Sequence, residues 1–138
     1  MEVPSITGFY LAILALIYAV LAIQVAQLRR GNRVVFGDGE NIKLRSAIRA
    51  HANFIEYVPI IALLVAMLEM SGMRATWVHL LMAALLLSRL LHPLGMHSKP
   101  GTWQFAVGRM AGILITFAVL AAAAASALLR FWPTYDHG

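Results

Sequence analysis

Four apolar runs, each close to the length that crosses a bilayer, constrain this chain more than any other feature. About 20 helical residues rising 1.5 Å each span a hydrocarbon core of roughly 30 Å. The first run extends from Ile6 to Leu28, with Gln24 and Gln27 late in its course. The second runs from Leu44 to Met70 and has a polar first half. The third, Trp77 to Leu91, is short, and Arg89 and His92 extend it toward the interface by snorkelling. The fourth, Trp103 to Leu129, includes the alanine-rich stretch Ala121 to Ala127, whose small residues allow close helix contact within or between subunits. Composition agrees: 61% of the 138 residues are hydrophobic and 12% charged, too little polar surface for a soluble domain of this size. The first run is too long for a signal-peptide core and has no basic segment before it, so it is expected to be retained.

Backbone groups in lipid must be satisfied internally, which helices do and open sheets do not. Short connections then predict an all-α membrane protein, an antiparallel up-and-down four-helix transmembrane bundle forming a single domain over residues 1–138. The connection from Arg29 to Lys43 is glycine-bearing and carries Arg29, Arg30, Arg33 and Lys43; the one around Ser71-Gly72 is tight, with Arg74 its basic residue. The third connection, Pro93 to Thr102, holds His97 and Lys99. Basic residues crowd the first and third loops, which are therefore expected to be cytoplasmic, with both termini on the opposite side. The net charge of +5 is explained by this orientation signal without nucleic acid. Trp77, Trp103 and Trp132 fall at helix ends, where indole rings prefer the interface. This composition and these short loops suit a bacterial inner membrane.

Cysteine is absent, which excludes disulfides, thiolate metal sites and a cysteine nucleophile. The five histidines form no pair at metal-ligand spacing with an acidic partner, so no metal is expected. No glycine-rich phosphate loop or Ser-His-Asp pattern occurs.

The chemistry concentrates in the second helix. Arg45, Arg49, Asn53 and Glu56 are spaced four, four and three apart, which places them in one stripe along a helix face. Glu56 lies about 18 Å from the helix start. An ionised group at that depth costs roughly 2.5–3.5 kcal/mol on insertion scales. It is therefore expected to face the bundle or a neighbouring subunit and to find a partner. Pro59 removes its own N–H and clashes with the carbonyl of Ile55, so a bend is expected beside Glu56. His51 is about 200° around the helix from Arg49 and is expected to pack elsewhere. Two readings of the stripe remain open. It forms an internal Arg49–Asn53–Glu56 network that fixes packing, or it receives a ligand. The surplus of arginines at the same end, Arg29, Arg30, Arg33, Arg45, Arg89 and Arg109, suits a multiply anionic ligand or lipid headgroups. A carboxylate among them suits an ammonium group, so a peptide-like zwitterion matches both features.

The segment Arg49-Ala-His51-Ala-Asn53-Phe-Ile-Glu56-Tyr57-Val-Pro59, preceded by Arg29-Arg30-Gly-Asn-Arg33, resembles the MAPEG family, the membrane-associated proteins in eicosanoid and glutathione metabolism. The spacing is most similar to the leukotriene synthase and microsomal glutathione transferase branch, while Arg89-Leu-Leu-His92 resembles the third helix of the prostaglandin E synthase branch. The resemblance implies a homotrimer that binds glutathione between subunits near the cytoplasmic side. Arg49, Asn53, Glu56 and Tyr57 would hold glutathione, with Arg49 on a carboxylate and Glu56 on the γ-glutamyl ammonium. Arg89 and His92 would line the pocket, and Arg30 would join it from the first helix. Arg109 would stabilise the thiolate, lowering the thiol pKa. For Arg109 a snorkelling anchor explains the position equally well, and His92, before Pro93, also reads as a helix-end cap. The sequence departs from the leukotriene branch where third-helix tyrosines are replaced by His92 and Met96, and in the length of the loop from Met96 to Gln104.

The resemblance implies an integral membrane glutathione transferase or peroxidase that turns a thiolate on lipophilic electrophiles or lipid hydroperoxides. The alternative is a non-enzymatic lipid-binding or scaffold protein of the same fold, with a purely structural stripe. A transporter using Glu56 as a proton relay has little support, because paired half-helices are missing.

Overall fold

A computed structural model describes residues 3–97 and 102–133, with the side chains of 92–97 and 104–106 outside that description. It contains four helices: α1 (Ser5–Asn32), α2 (Ile42–Met70), α3 (Ala75–His97) and α4 (Trp103–Arg130). α1, α2 and Val107–Arg130 of α4 are long and apolar enough to cross a membrane, and the apolar part of α3, Ala75–Leu91, is shorter. The protein is thus an all-α membrane four-helix bundle. α3 does not stop at Leu91 as its apolar run suggested, but continues through Pro93 to His97, which shortens the third connection. A proline in a membrane helix removes one internal hydrogen bond, a loss that neighbouring helices can absorb.

The bundle is not a closed square. α2 and α3 each touch all three other helices, whereas α1 and α4 do not meet among the described residues. The α2–α3 pair is therefore the spine, with α1 and α4 on opposite flanks. Burial follows this layout. α1 buries Thr7, Leu14 and Leu21, one residue every two turns, while α2 is buried along its length through Leu44, Ala47, Ala50, Phe54, Val58, Ile61, Val65 and Leu68. The core is completed by Val78, Met82 and Leu85 of α3 and by Val119 and Ala123 of α4. The alanine-rich stretch splits accordingly: Ala123 packs inward and Ala122 faces outward.

Helix ends are closed by backbone geometry. At the α1 end, Arg33 takes a left-handed conformation (φ 54°), and its N–H and that of Val34 donate back to the carbonyls of Arg30 and Arg29. The α2 end repeats the arrangement with Gly72 at φ 88°, and Gly72 and Met73 donate to Glu69 and Leu68. Asn41 caps α2 by accepting from the Leu44 N–H at 3.0 Å. In the first loop Gly39, at φ 56°, disfavours a side chain, since a Cβ there would lie 2.5 Å from Cγ2 of Val34 and force that side chain to shift.

α1 has no side-chain cap of its own. Glu69, thirteen residues beyond Glu56 on α2, supplies it. Its carboxylate accepts from the Ile6 and Thr7 N–H groups, both at 2.9 Å, and from the Thr7 hydroxyl at 2.6 Å. Orphan donors and the positive end of the helix dipole are satisfied together.

Candidate functional site

The second-helix stripe divides on folding. Arg45, Arg49 and Glu56 are exposed on the outer face of α2, whereas Asn53 turns partly inward. Arg49 and Glu56 form no hydrogen bond or ion pair with one another or with any other described residue. The internal Arg49–Asn53–Glu56 network therefore does not form within the protomer. The reason is angular: a spacing of four then three carries Glu56 back around the helix to the Arg49 side, while Asn53 lies nearer the α3 contact.

Asn53 instead belongs to a network centred on Arg89, whose side chain is only 2% exposed. Arg89 Nη1 donates to the Asn53 carboxamide oxygen at 2.7 Å and to its main-chain carbonyl at 3.2 Å. Nε donates to the Ser88 hydroxyl at 3.1 Å, and Nη2 to the Thr116 hydroxyl. Both hydroxyls pass their own protons back to helix carbonyls, Ser88 to Leu85 at 2.7 Å and Thr116 to Gly112 at 2.6 Å. Each thereby presents lone pairs to the guanidinium. The cation is held by neutral acceptors alone, so its full positive charge remains as a field inside the half of the bundle that carries the first loop.

Tyr57 is half-buried and packs edge-on against Phe117 of α4, ring centroids 5.6 Å apart. His51 stacks on Tyr18 of α1 at 4.9 Å, packing away from the stripe as its angular position requires. Arg30 is exposed in the last turn of α1. Arg109 is exposed on α4, on the face shared by Gly112 and Thr116 but two turns nearer the helix start, about 10 Å toward the basic end. His92 lies within α3, with its side chain outside the described residues.

The fold thus brings together Asn53 and Arg89 in the interior and leaves Arg49, Glu56, Arg30 and Arg109 on the surface of one protomer. Between α1 and α2 lies an apolar groove of about 500 Å³, lined by Leu11, Ala15, Tyr18, Ile55, Pro59 and Leu63 among others, with Glu56 next to Ile55 in the chain but outside the lining. A carboxylate without a described partner at this depth of a membrane-spanning helix is costly to leave uncompensated. The described residues contain no cluster suited to a metal ion.

Sequence reasoning missed the partners of Arg89 and the role of Glu69. Thr116 carried no local signal, since its contact spans two helices. Glu69 did carry one: a carboxylate near the end of an apolar run, at the end of the bundle where α1 begins without a capping side chain.

The model for the MAPEG family matches residues 7–129. The chain is also similar to the protein called "Inner membrane protein YecN" in Escherichia coli strain K12, and to that of the same name in Escherichia coli O6:H1 strain CFT073. Each is 36% identical over 99 residues, covering 72% of this chain and 76% of theirs. No solved structure matches.

Proposed function

The chain belongs to the MAPEG family, and on that premise we propose that it binds glutathione against the outer face of α2 and presents the thiolate to lipophilic electrophiles or lipid hydroperoxides. The observation that carries this reading is Glu56, exposed and unpartnered on a membrane-spanning helix one and two turns from Asn53 and Arg49.

Glutathione supplies what that face lacks: two carboxylates, one ammonium and a thiol. Arg49 takes a carboxylate, Glu56 the γ-glutamyl ammonium, and Asn53 and Tyr57 flank them. Arg89 acts from behind as a positioning residue, fixing Asn53 and adding positive potential. His92 lines the site from α3. A second and third copy of the chain would close the face, bringing Arg30 and Arg109 from neighbouring protomers toward the sulfur in a homotrimer. Guanidinium groups there hold the thiol deprotonated, since the thiolate is the nucleophile. In conjugation the thiol first loses its proton to solvent. The thiolate sulfur then bonds to an electrophilic carbon as the bond from that carbon to its leaving group breaks, releasing chloride in the case of 1-chloro-2,4-dinitrobenzene. In peroxide reduction the thiolate attacks the terminal peroxide oxygen, the O–O bond breaks, and the alkoxide takes a proton and leaves as the alcohol. A second glutathione displaces water from the resulting sulfenic acid to give the disulfide. The apolar α1–α2 groove suits a substrate arriving sideways from the bilayer. The basic first loop is read as cytoplasmic, in a bacterial inner membrane.

Purified protein supplied with glutathione and either 1-chloro-2,4-dinitrobenzene or cumene hydroperoxide tests the activity. Wild-type turnover should fall about 10²-fold in Arg109→Ala, with glutathione retention preserved. Unchanged turnover removes Arg109 from the thiolate. Wild-type inactivity on both probes favours a non-enzymatic lipid-binding protein of the same fold.

A further inference from the structure

The opposite end of the molecule carries a second, unrelated cavity system. The α2–α3 turn and the end of α4 form a recess of about 340 Å³ with a mixed lining, Ser71, Ser126 and Arg130 beside Leu68, Met73 and Leu129. Arg130 reaches across the turn, Nε donating to the Ser71 hydroxyl at 3.3 Å and Nη2 to the Ser71 carbonyl, yet its side chain stays exposed. Met73 and Ser126 also line a separate groove of about 540 Å³ between α3 and α4. That groove runs away from the recess past Trp77, Leu80, Ala118 and Ala122, and is almost wholly apolar. Recess and groove adjoin at Met73 and Ser126, which line both.

Charge decides what fits. Arg74 and Arg130 are both exposed at this end. Among its described residues the one acid is Glu69, buried and committed to the start of α1. Neither cation therefore meets a described acid: Arg130 lines the recess, Arg74 follows two residues after Gly72 on the same turn, and an acyl-sized apolar groove adjoins. We propose that this recess and groove form a binding site for one anionic glycerophospholipid, its phosphate between Arg130 and Arg74 and an acyl chain along α3 and α4. Gly72 lets the headgroup approach the turn, because its φ of 88° keeps the tight bend free of a side chain. Trp77, exposed near the start of α3, lines the groove at the helix end where indole rings settle. The site is independent of the α2 face that carries Glu56.

The test is native mass spectrometry of the full chain in micelles holding equal phosphatidylglycerol and phosphatidylcholine with identical acyl chains. At roughly fivefold for each arginine near an anionic headgroup, wild type should retain phosphatidylglycerol about tenfold or more over phosphatidylcholine. Arg74→Gln, which breaks no bond within the fold, should lower that preference about fivefold without changing thermal stability. Ala122→Phe, which fills the groove, should abolish retention of both lipids with the oligomeric mass unchanged. Equal retention of the two lipids by wild type overturns the proposal, as does full retention in Ala122→Phe. Displacement of the lipid by millimolar inorganic phosphate alone would reduce the site to an anion recess, and a smaller assembly for Ala122→Phe would mean that another copy covers the groove.

Discussion

Helix α2 carries two glutamates about 20 Å apart, and the fold treats them oppositely. Glu69 is 8% exposed and accepts three hydrogen bonds from the first turn of α1. Glu56 is exposed on the outer face and meets none of the described side chains. The same side chain in the same helix is thus a structural cap at one end and an unmet charge at the other. A protomer that satisfies one carboxylate completely does not leave the other unpaired for want of polar groups. The difference between the two carboxylates is what the proposed ligand site at Glu56 rests on.

The comparison breaks most visibly at Glu69. Glu69→Ala orphans two N–H groups and a hydroxyl, and should cost about 2–4 kcal/mol in equilibrium unfolding from mixed micelles. A cost near zero would dissolve the contrast between the glutamates. Arg89→Met is expected to be next, at about 1–3 kcal/mol, because Asn53 and Thr116 lose a shared donor while the methionine fills part of the space. Glu56→Gln should change unfolding by less than about 0.5 kcal/mol in the absence of ligand, since nothing in the protomer depends on its charge. A loss as large as that of Glu69→Ala would reveal a structural partner.

The smallest effect lies in the first loop, where Asp38 pairs with Arg45. The hydrogen bond from Arg45, together with the Glu40 N–H, holds the Asp38 carboxyl below its ordinary range. A lowered folded value means that this contribution is fully present above the unfolded pKa and lost as pH falls through the folded one. Melting temperature should therefore be unaffected by Asp38→Asn in its slope between pH 5 and 8, and the mutation should flatten only the acid limb below about pH 4.

Legibility from sequence followed the range of each interaction. The four apolar runs and the basic first loop depend on composition along a single segment, and helix boundaries came within a few residues except where α3 passes Pro93. Residues spaced along one helix were also placed well: His51 turned away from Arg49, and Glu56 stayed on the Arg49 side. What failed was pairing between helices. The charge of Arg89 was visible, but its acceptors sit on α2 and α4, and only the packing angle of three helices makes Asn53 its partner instead of Arg49's or Glu56's. Glu69 was overlooked because its partners lie 62 and 63 residues away.

The central claim is that Glu56 is reserved for a ligand, and glutathione titration of thermal stability tests it most directly. A ligand that binds only the folded protein stabilises it by RT ln(1 + [L]/Kd), about 2.7 kcal/mol at a hundredfold excess over Kd. The wild type should show a saturable rise in melting temperature, and Glu56→Gln should lose that rise. Glu69→Gln should melt lower yet keep the full ligand-dependent increment. A flat wild-type titration at millimolar glutathione, or an undiminished rise in Glu56→Gln, would contradict the account.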